Sequence, residues 1–347
     1  MAKSADFEIG GIAVKPGARE TVDIPVSVLS DHTPMSMSVH VVHGRRPGPT
    51  LFVSAAVHGD EIIGVEILRR LLKMKQLGRL RGTLLVVPVV NAFGFLNRSR
   101  YLPDRRDLNR SFPGRAQGSL AARLAHLFMA EIVQKSDFGI DLHSAAVNRV
   151  NLPQIRVSPS RPETMARANV FGAPLILTSS IRDGSLRHAA ASCGIDVMVY
   201  EAGEGLRFDE FSVRTGVTGV LRVMRDMDMI AGKGVPKLRV RSIRSTSSYW
   251  VRAPIGGLLR AFRTNGEQVG NDDLLGVTSD PFGEHEVEVR SGDAGLIIGR
   301  TNLPVVNEGD GIFHIARIKK SEDAESKIDA LSNHLEDHPL FDEDEII

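Results

Sequence analysis

The feature that most constrains this chain is a rhythm between residues 36 and 230. Short apolar runs alternate there with amphipathic segments. The runs are Leu51–Val57 (LFVSAAV), Leu84–Val90 (LLVVPVV), Phe138–Leu142, Leu175–Thr178 and Ile195–Tyr200 (IDVMVY). Each is short, rich in β-branched or aliphatic residues and apolar on successive positions, the pattern of strands buried on both faces. Between them lie helical candidates at Glu61–Lys75, Leu120–Gln134, Arg161–Phe171, Ser185–Ser192 and Val217–Met229. In the first of these, Ile62, Val65, Leu68 and Leu72 recur at helical spacing and predict one apolar face. Strands alternating with helices predict an α/β layered domain with a central sheet over residues 36–232.

The character changes at GKGVPK, whose Gly and Pro spacing reads as a linker. Residues 238–320 then show β-type runs broken by turns at NGE, DPFG, SGD and EGD, which predicts a small all-β domain. Residues 1–35 read as a turn-rich N-terminal extension. Residues 321–347 hold ten acids and one base, and this charge density predicts a mobile acidic tail. The formal net charge of +1 therefore combines an acidic tail with a basic body.

Composition excludes several classes. The single cysteine, Cys193, rules out an intrachain disulfide framework, fits a reducing compartment and reads as a packed small residue. No apolar run is long enough to span a bilayer, and the N-terminus lacks the apolar core of a secretory signal. The expectation is a cytoplasmic protein with no membrane partner. Aromatic residues make up only 5% and the basic residues are scattered, which argues against nucleic acid as a partner. No phosphate-binding loop, dinucleotide fingerprint, H-E-x-x-H or G-x-S-x-G motif occurs.

Four segments could carry chemistry. His58-Gly59-Asp60-Glu61 follows the run LFVSAAV and opens a helix. His and Glu three residues apart at a strand-to-helix turn can face one point, and both are ordinary zinc ligands; a charged capping turn would look the same. A second H-x-x-E, His285 to Glu288, falls on an expected exposed strand of the β domain. Asp141-Leu142-His143 ends another run, with Asp141 and His143 on one side of the strand and Leu142 on the other. His58, Glu61 and His143 would make a His2Glu zinc set, with Asp141 orienting a ligand. The competing reading is a buried histidine hydrogen-bonded by Asp141. The third segment is the arginine-rich loop from Arg100 through Asp107-Leu108-Asn109-Arg110 to Gly114, suited to a carboxylate or phosphate, or to plain solvation. The fourth is Glu201, directly after IDVMVY, placed as a general base or as a loop acid, with Glu204 in the same turn.

HGDE, DLNRSFPG, DLHS and a later strand-Glu-x-Gly occur here in that order. Together they resemble the succinylglutamate desuccinylase/aspartoacylase family of the zinc carboxypeptidase-like superfamily, over roughly residues 36–320. The resemblance implies a three-layer α/β domain with a mixed central sheet, followed by the small β domain. It implies one Zn2+ per chain, held by His58, Glu61 and His143, and Glu201 as the glutamate that activates water. Asn109 and Arg110 match the pair that grips the substrate carboxylate. Arg100 matches the arginine that polarises the scissile carbonyl, with Arg105 and Arg106 as competitors. The implied activity is hydrolysis of the amide bond of a small anionic N-acyl amino acid or similar carboxylate. A carboxypeptidase-like hydrolase of short peptides and a catalytically silent binding protein are the alternatives. The pattern NGEQVGNDDLLG to GDAGLIIGR resembles a lipoyl-type half-barrel, but without the Met-Lys attachment dipeptide. A homo-oligomer is left open.

Overall fold

A computed structural model describes residues 4–158, 161–318, 323–336 and 338. A mixed sheet forms the centre. Strand Arg46–Ala55 runs parallel to Arg81–Val87 on one side and to Phe138–His143 on the other, and Phe138–His143 runs parallel to Asp196–Glu204. These four strands are four of the apolar runs. Beyond Arg81–Val87 the sheet continues antiparallel through Pro34–His43 and Arg19–Val28. Within the N-terminal stretch read as turn-rich, Arg19–Val28 is thus a ten-residue strand that buries Val22, Ile24 and Val26 in alternation.

Helices Ile63–Leu72, Pro162–Phe171 and Glu210–Asp226 share one apolar layer with Ile140 and Leu142. Helices Leu120–Glu131 and Leu186–Ser192 pack with Phe52 and Leu85 on the other face. The sheet is covered on both sides, which is why its strands read as continuous apolar runs. Helix Ile63–Leu72 buries Ile63, Ile67, Leu68 and Leu71, while Val65 and Leu72 stay half-buried. The buried face is rotated from the expected one because the helix meets both the sheet and helix Glu210–Asp226. A Cβ on Gly216 of that helix would fall 2.4 Å from Ile67 Cδ1, so a larger residue there would have to displace the Ile67 side chain.

Strand Arg149–Val157 was not anticipated, and Pro153 explains why, since proline argues against a central strand. Here the register against Asp196–Glu204 shifts between Glu201 and Gly203, so the pairing steps over Leu152 and Pro153 and the missing N–H falls at a bulge. Arg149–Val157 also pairs with Gly295–Thr301, which joins the C-terminal strands to the main sheet. Strands Gly257–Ala261, Leu274–Ser279, Glu286–Arg290 and Val305–Val306 form a separate four-stranded sheet beside them. His285 and Glu288 lie exposed at its edge.

Within the acidic segment, Ala324–Glu336 is a helix that buries Ala324, Leu331 and Leu335 and receives Arg214 Nη1 at the Leu335 and Glu336 carbonyls. Its apolar positions overcame the charge density that favoured a tail; the remaining acids lie largely outside the described residues. Cys193 ends helix Leu186–Ser192 exposed, not packed, because the helix buries Leu186, Ala189 and Ala190 instead. Among the described residues no helix is long and apolar enough to cross a membrane.

Candidate metal centre

Three strand ends converge at the carboxyl edge of the parallel strands, where open α/β sheets gather ligands. Strand Arg46–Ala55 leads into the turn His58–Glu61, closed by Glu61 N–H donating to the His58 carbonyl at 3.1 Å. Gly59 is obligatory here: a Cβ would lie 1.9 Å from the Gly94 carbonyl carbon. Strand Phe138–His143 sends Ile140 and Leu142 into the core, which turns Asp141 and His143 to the opposite side. Strand Asp196–Glu204 brings Glu201 level with His143 in register.

His58, Glu61 and His143 are all buried, and their donor atoms lie within 4.8 Å of one another. Glu61 Oε1 is 2.7 Å from His58 Nδ1, and Glu61 Oε2 is 2.7 Å from His143 Nδ1. Each imidazole has a second carboxylate behind it. His143 Nε2 is 2.6 Å from Asp141 Oδ2, whose other oxygen accepts from Ser54 Oγ at 2.7 Å. His58 Nε2 is 3.1 Å from Asp107 Oδ1. With the Nε2 protons directed to Asp141 and Asp107, both Nδ1 lone pairs are left for a cation, the usual arrangement of metal-binding histidines. Asp107 also accepts from Arg100 Nη2 at 2.9 Å and from the Asn109 N–H at 2.8 Å, so the DLNR turn and the metal donors are one hydrogen-bonded unit.

Burial would raise the Glu61 carboxyl, but the charges of His58 and His143 and their hydrogen bonds outweigh it and hold Glu61 well below the usual carboxylate range. Burial would likewise push His143 down, yet Asp141 and Glu61 hold it well above an ordinary histidine. When both imidazoles are neutral, as metal ligands must be, the three carboxylates exceed the single charge that Arg100 balances. That donor set, two histidines and one glutamate with oriented imidazoles, fits a divalent cation of the zinc type.

The centre forms the floor of a cavity of about 250 Å³. Glu201, Arg100, Asn109 and Arg110 line the same cavity, so every site residue expected from the sequence is brought together there. Arg105 and Arg106 are exposed and do not line it; Arg106 faces Asp104 at 3.8 Å. Glu204 also stands apart, accepting from the Asn148 N–H and from Asn302 Nδ2. Arg100 Nη1 reaches Glu61 Oε1 at 3.2 Å. Asn109 Oδ1 accepts the Leu186 N–H at 2.9 Å, which leaves its Nδ2 to donate elsewhere. Glu201 Oε2 accepts from Asn151 Nδ2 at 3.1 Å, and Arg156 Nε lies 3.5 Å from Oε1.

Sequence reasoning missed Asn151 and Arg156 because their strand contains Pro153. It also missed Arg187, half-buried at the start of helix Leu186–Ser192, and Trp250 and Arg300, which the C-terminal strands bring to the cavity wall. Trp250 stacks on His314 with ring centroids 4.5 Å apart and planes at 4°, and Arg149 sits 5.3 Å above the indole. No local pattern marks such long-range neighbours. Asp107 was legible as part of DLNR, but its pairing with His58 was not.

Residues 47–227 match the model of the succinylglutamate desuccinylase/aspartoacylase catalytic domain. The chain is 25% identical over 333 residues to the N-alpha-acetyl-L-2,4-diaminobutyric acid deacetylase of Halomonas elongata, covering 92% of this chain and 96% of that protein. Among solved structures, the product-bound ectoine utilization protein EutE (DoeB) of Ruegeria pomeroyi superposes with a TM-score of 0.79 at 24% identity, covering 87% of this chain and 95% of that one. A succinylglutamate desuccinylase/aspartoacylase from Rhodobacter sphaeroides superposes with a TM-score of 0.79 at 22% identity, covering 91% of this chain and 99% of that one. The order of HGDE, DLNR and DLHS, their convergence on one cavity and the match across the α/β domain agree: this chain belongs to the succinylglutamate desuccinylase/aspartoacylase family.

Proposed function

We propose that the protein is a zinc-dependent amidohydrolase that removes the acyl group from an N-acyl amino acid or similar small carboxylate. The observation that carries this reading is the buried His58, Glu61 and His143 set, with both imidazoles backed by carboxylates, on the floor of a cavity that Glu201 also lines. His58, Glu61 and His143 would hold one zinc ion per chain. When bound, zinc supplies Lewis-acid activation of water and of the amide carbonyl.

The other steps belong to side chains. Glu201 accepts the proton of the attacking water and returns it to the leaving amine. Asn151 and Arg156, on its two oxygens, fix the carboxylate in place for both transfers. Arg100, held by Asp107 and Glu61, presents its guanidinium beside the metal donors, where the carbonyl oxygen becomes negative. Such a donor to a developing oxyanion contributes about 3–4 kcal/mol to barrier lowering. Asn109 and Arg110 hold the substrate carboxylate and so align the scissile bond.

A short-peptide hydrolase would use the same centre. Trp250 and Arg300 from the C-terminal strands wall the cavity, and about 250 Å³ suits a small molecule better than an extended peptide. A hydrolysis panel of N-acetyl and N-succinyl amino acids beside dipeptides tests the reading. Turnover confined to dipeptides, or none in zinc-loaded protein, would refute it.

A further inference from the structure

We propose that a groove at the amino-terminal edge of the parallel strands binds a polyphosphate group, free or carried by a nucleotide. Arg19, Arg45, Arg46, Arg79 and Arg81 line this cavity of about 930 Å³ against a single acid, Asp228. Arg46 and Arg81 open the paired strands Arg46–Ala55 and Arg81–Val87, whereas His58 follows the far end of the first. Strand rise of ~3.3 Å per residue puts the groove about 25–30 Å from the metal donors. The groove shares no lining residue with the catalytic cavity, and its role does not depend on the deacylase reading.

Backbone ties fix the groove before any ligand arrives. The Gly17 N–H donates to the His43 carbonyl, the Gly44 N–H to the Gly82 carbonyl and the Arg81 N–H to the Met229 carbonyl, each at 2.8 Å. These three bonds join the four chain segments that form it. Gly17, at φ +89°, lets Arg45 lie against the chain, with Nε 2.7 Å from where a Cβ would stand. None of the five guanidinium groups pairs with an acid among the described residues. Arg19 Nη1 and Arg81 Nη2 reach only the Leu72 and Pro47 carbonyls, at 3.3 and 3.5 Å. Five permanent positive charges round one concavity focus the field there and attract an anion of several charges. Forked guanidinium donors match phosphate oxygens two at a time, and a phosphate chain packs several charges into a short span. The arginines come from three turns rather than from a line along one helix or strand, which suits a compact anion over an extended chain. No aromatic ring apart from the imidazole of buried His43 lines the groove, so nucleic-acid bases have no platform on which to stack.

Calorimetric titration of the full-length protein tests this with orthophosphate, tripolyphosphate, ATP and citrate at about 0.15 M salt. Zinc-loaded and metal-free protein are both titrated, because the metal-free form removes chelation by the probe; the two should agree within about threefold. Tripolyphosphate should bind about 30-fold more tightly than orthophosphate, the range of added hydrogen bonds to charged groups. Arg45→Gln/Arg79→Gln should weaken tripolyphosphate by about 30-fold, while Arg110→Gln, in the catalytic cavity, should leave it unchanged. ATP bound about tenfold more tightly than tripolyphosphate would name a nucleotide as the carrier, and ATP bound no more tightly would assign free polyphosphate. No binding, citrate bound as tightly as tripolyphosphate, or a loss in Arg110→Gln that equals the loss in the double variant would overturn the proposal. Polyglutamate or a short DNA duplex bound more tightly than tripolyphosphate would overturn it in favour of an extended polyanion. Should the double variant not fold, Arg19→Gln takes its place with an expected loss of about tenfold, and an unchanged affinity refutes the site.

Discussion

Asp141→Asn isolates what the carboxylate behind His143 contributes. Asp141 is 1% exposed and divides its oxygens between His143 Nε2 at 2.6 Å and Ser54 Oγ at 2.7 Å. Asparagine keeps the shape and removes the charge. If its amide turns to His143, the imidazole must carry its proton on Nδ1, the nitrogen that faces Glu61, and that nitrogen can no longer bind a metal. If its oxygen turns to His143, the tautomer survives but the imidazole is a weaker base. In either orientation zinc affinity should fall by about 10- to 100-fold, the usual loss on removing such a partner, equivalent to about 1.4–2.8 kcal/mol. The assay is competition for zinc against a chromogenic chelator, with circular dichroism to confirm that both proteins are folded. An affinity within about threefold of the parent would show that Asp141 does not orient His143 for the metal.

Other substitutions probe separate parts. Glu201→Gln should retain stoichiometric metal and lose roughly 10³-fold in kcat; an unchanged rate would move the base elsewhere. Gly59→Ala forces a Cβ against the Gly94 backbone, so metal content and yield of folded protein should both fall; a fully metallated variant would contradict the close packing. His314 is pushed down to about 3 by burial and then by Arg156, so the unfolded chain takes up a proton below about pH 6.5 that the native ring refuses. Stability should therefore fall with decreasing pH by up to about 1.4 kcal/mol per unit, and His314→Phe should flatten that slope between pH 6 and 4 in urea denaturation, taken as roughly the working window. An identical slope would exclude His314 as its source. Leu331→Ala and Leu335→Ala should each cost about 2–3 kcal/mol if helix Ala324–Glu336 is docked as described, read from urea midpoints. No change would mean the helix does not pack in solution.

How far the sequence could be read follows from the range of each interaction. The parallel strands were legible because burial on both faces leaves apolar runs, and the carboxyl ends of those runs located His58, Glu61, His143 and Glu201. Strand Arg149–Val157 was hidden because a bulge absorbs Pro153, and with it went Asn151 and Arg156. Arg187 and Trp250 lie on elements that read as ordinary helix and strand; only the tertiary fold brings them to the cavity. The helix in the acidic segment was obscured because charge dominates its composition, although Ala324, Leu331 and Leu335 suffice to dock it.

The most direct measurement is metal content together with hydrolysis in the purified protein and in His143→Ala. About one zinc per chain with N-acyl amino acid hydrolysis in the parent, and loss of both in the folded variant, is the expected result. A folded, metal-free His143→Ala protein that hydrolyses the same substrate at the parent rate would contradict it.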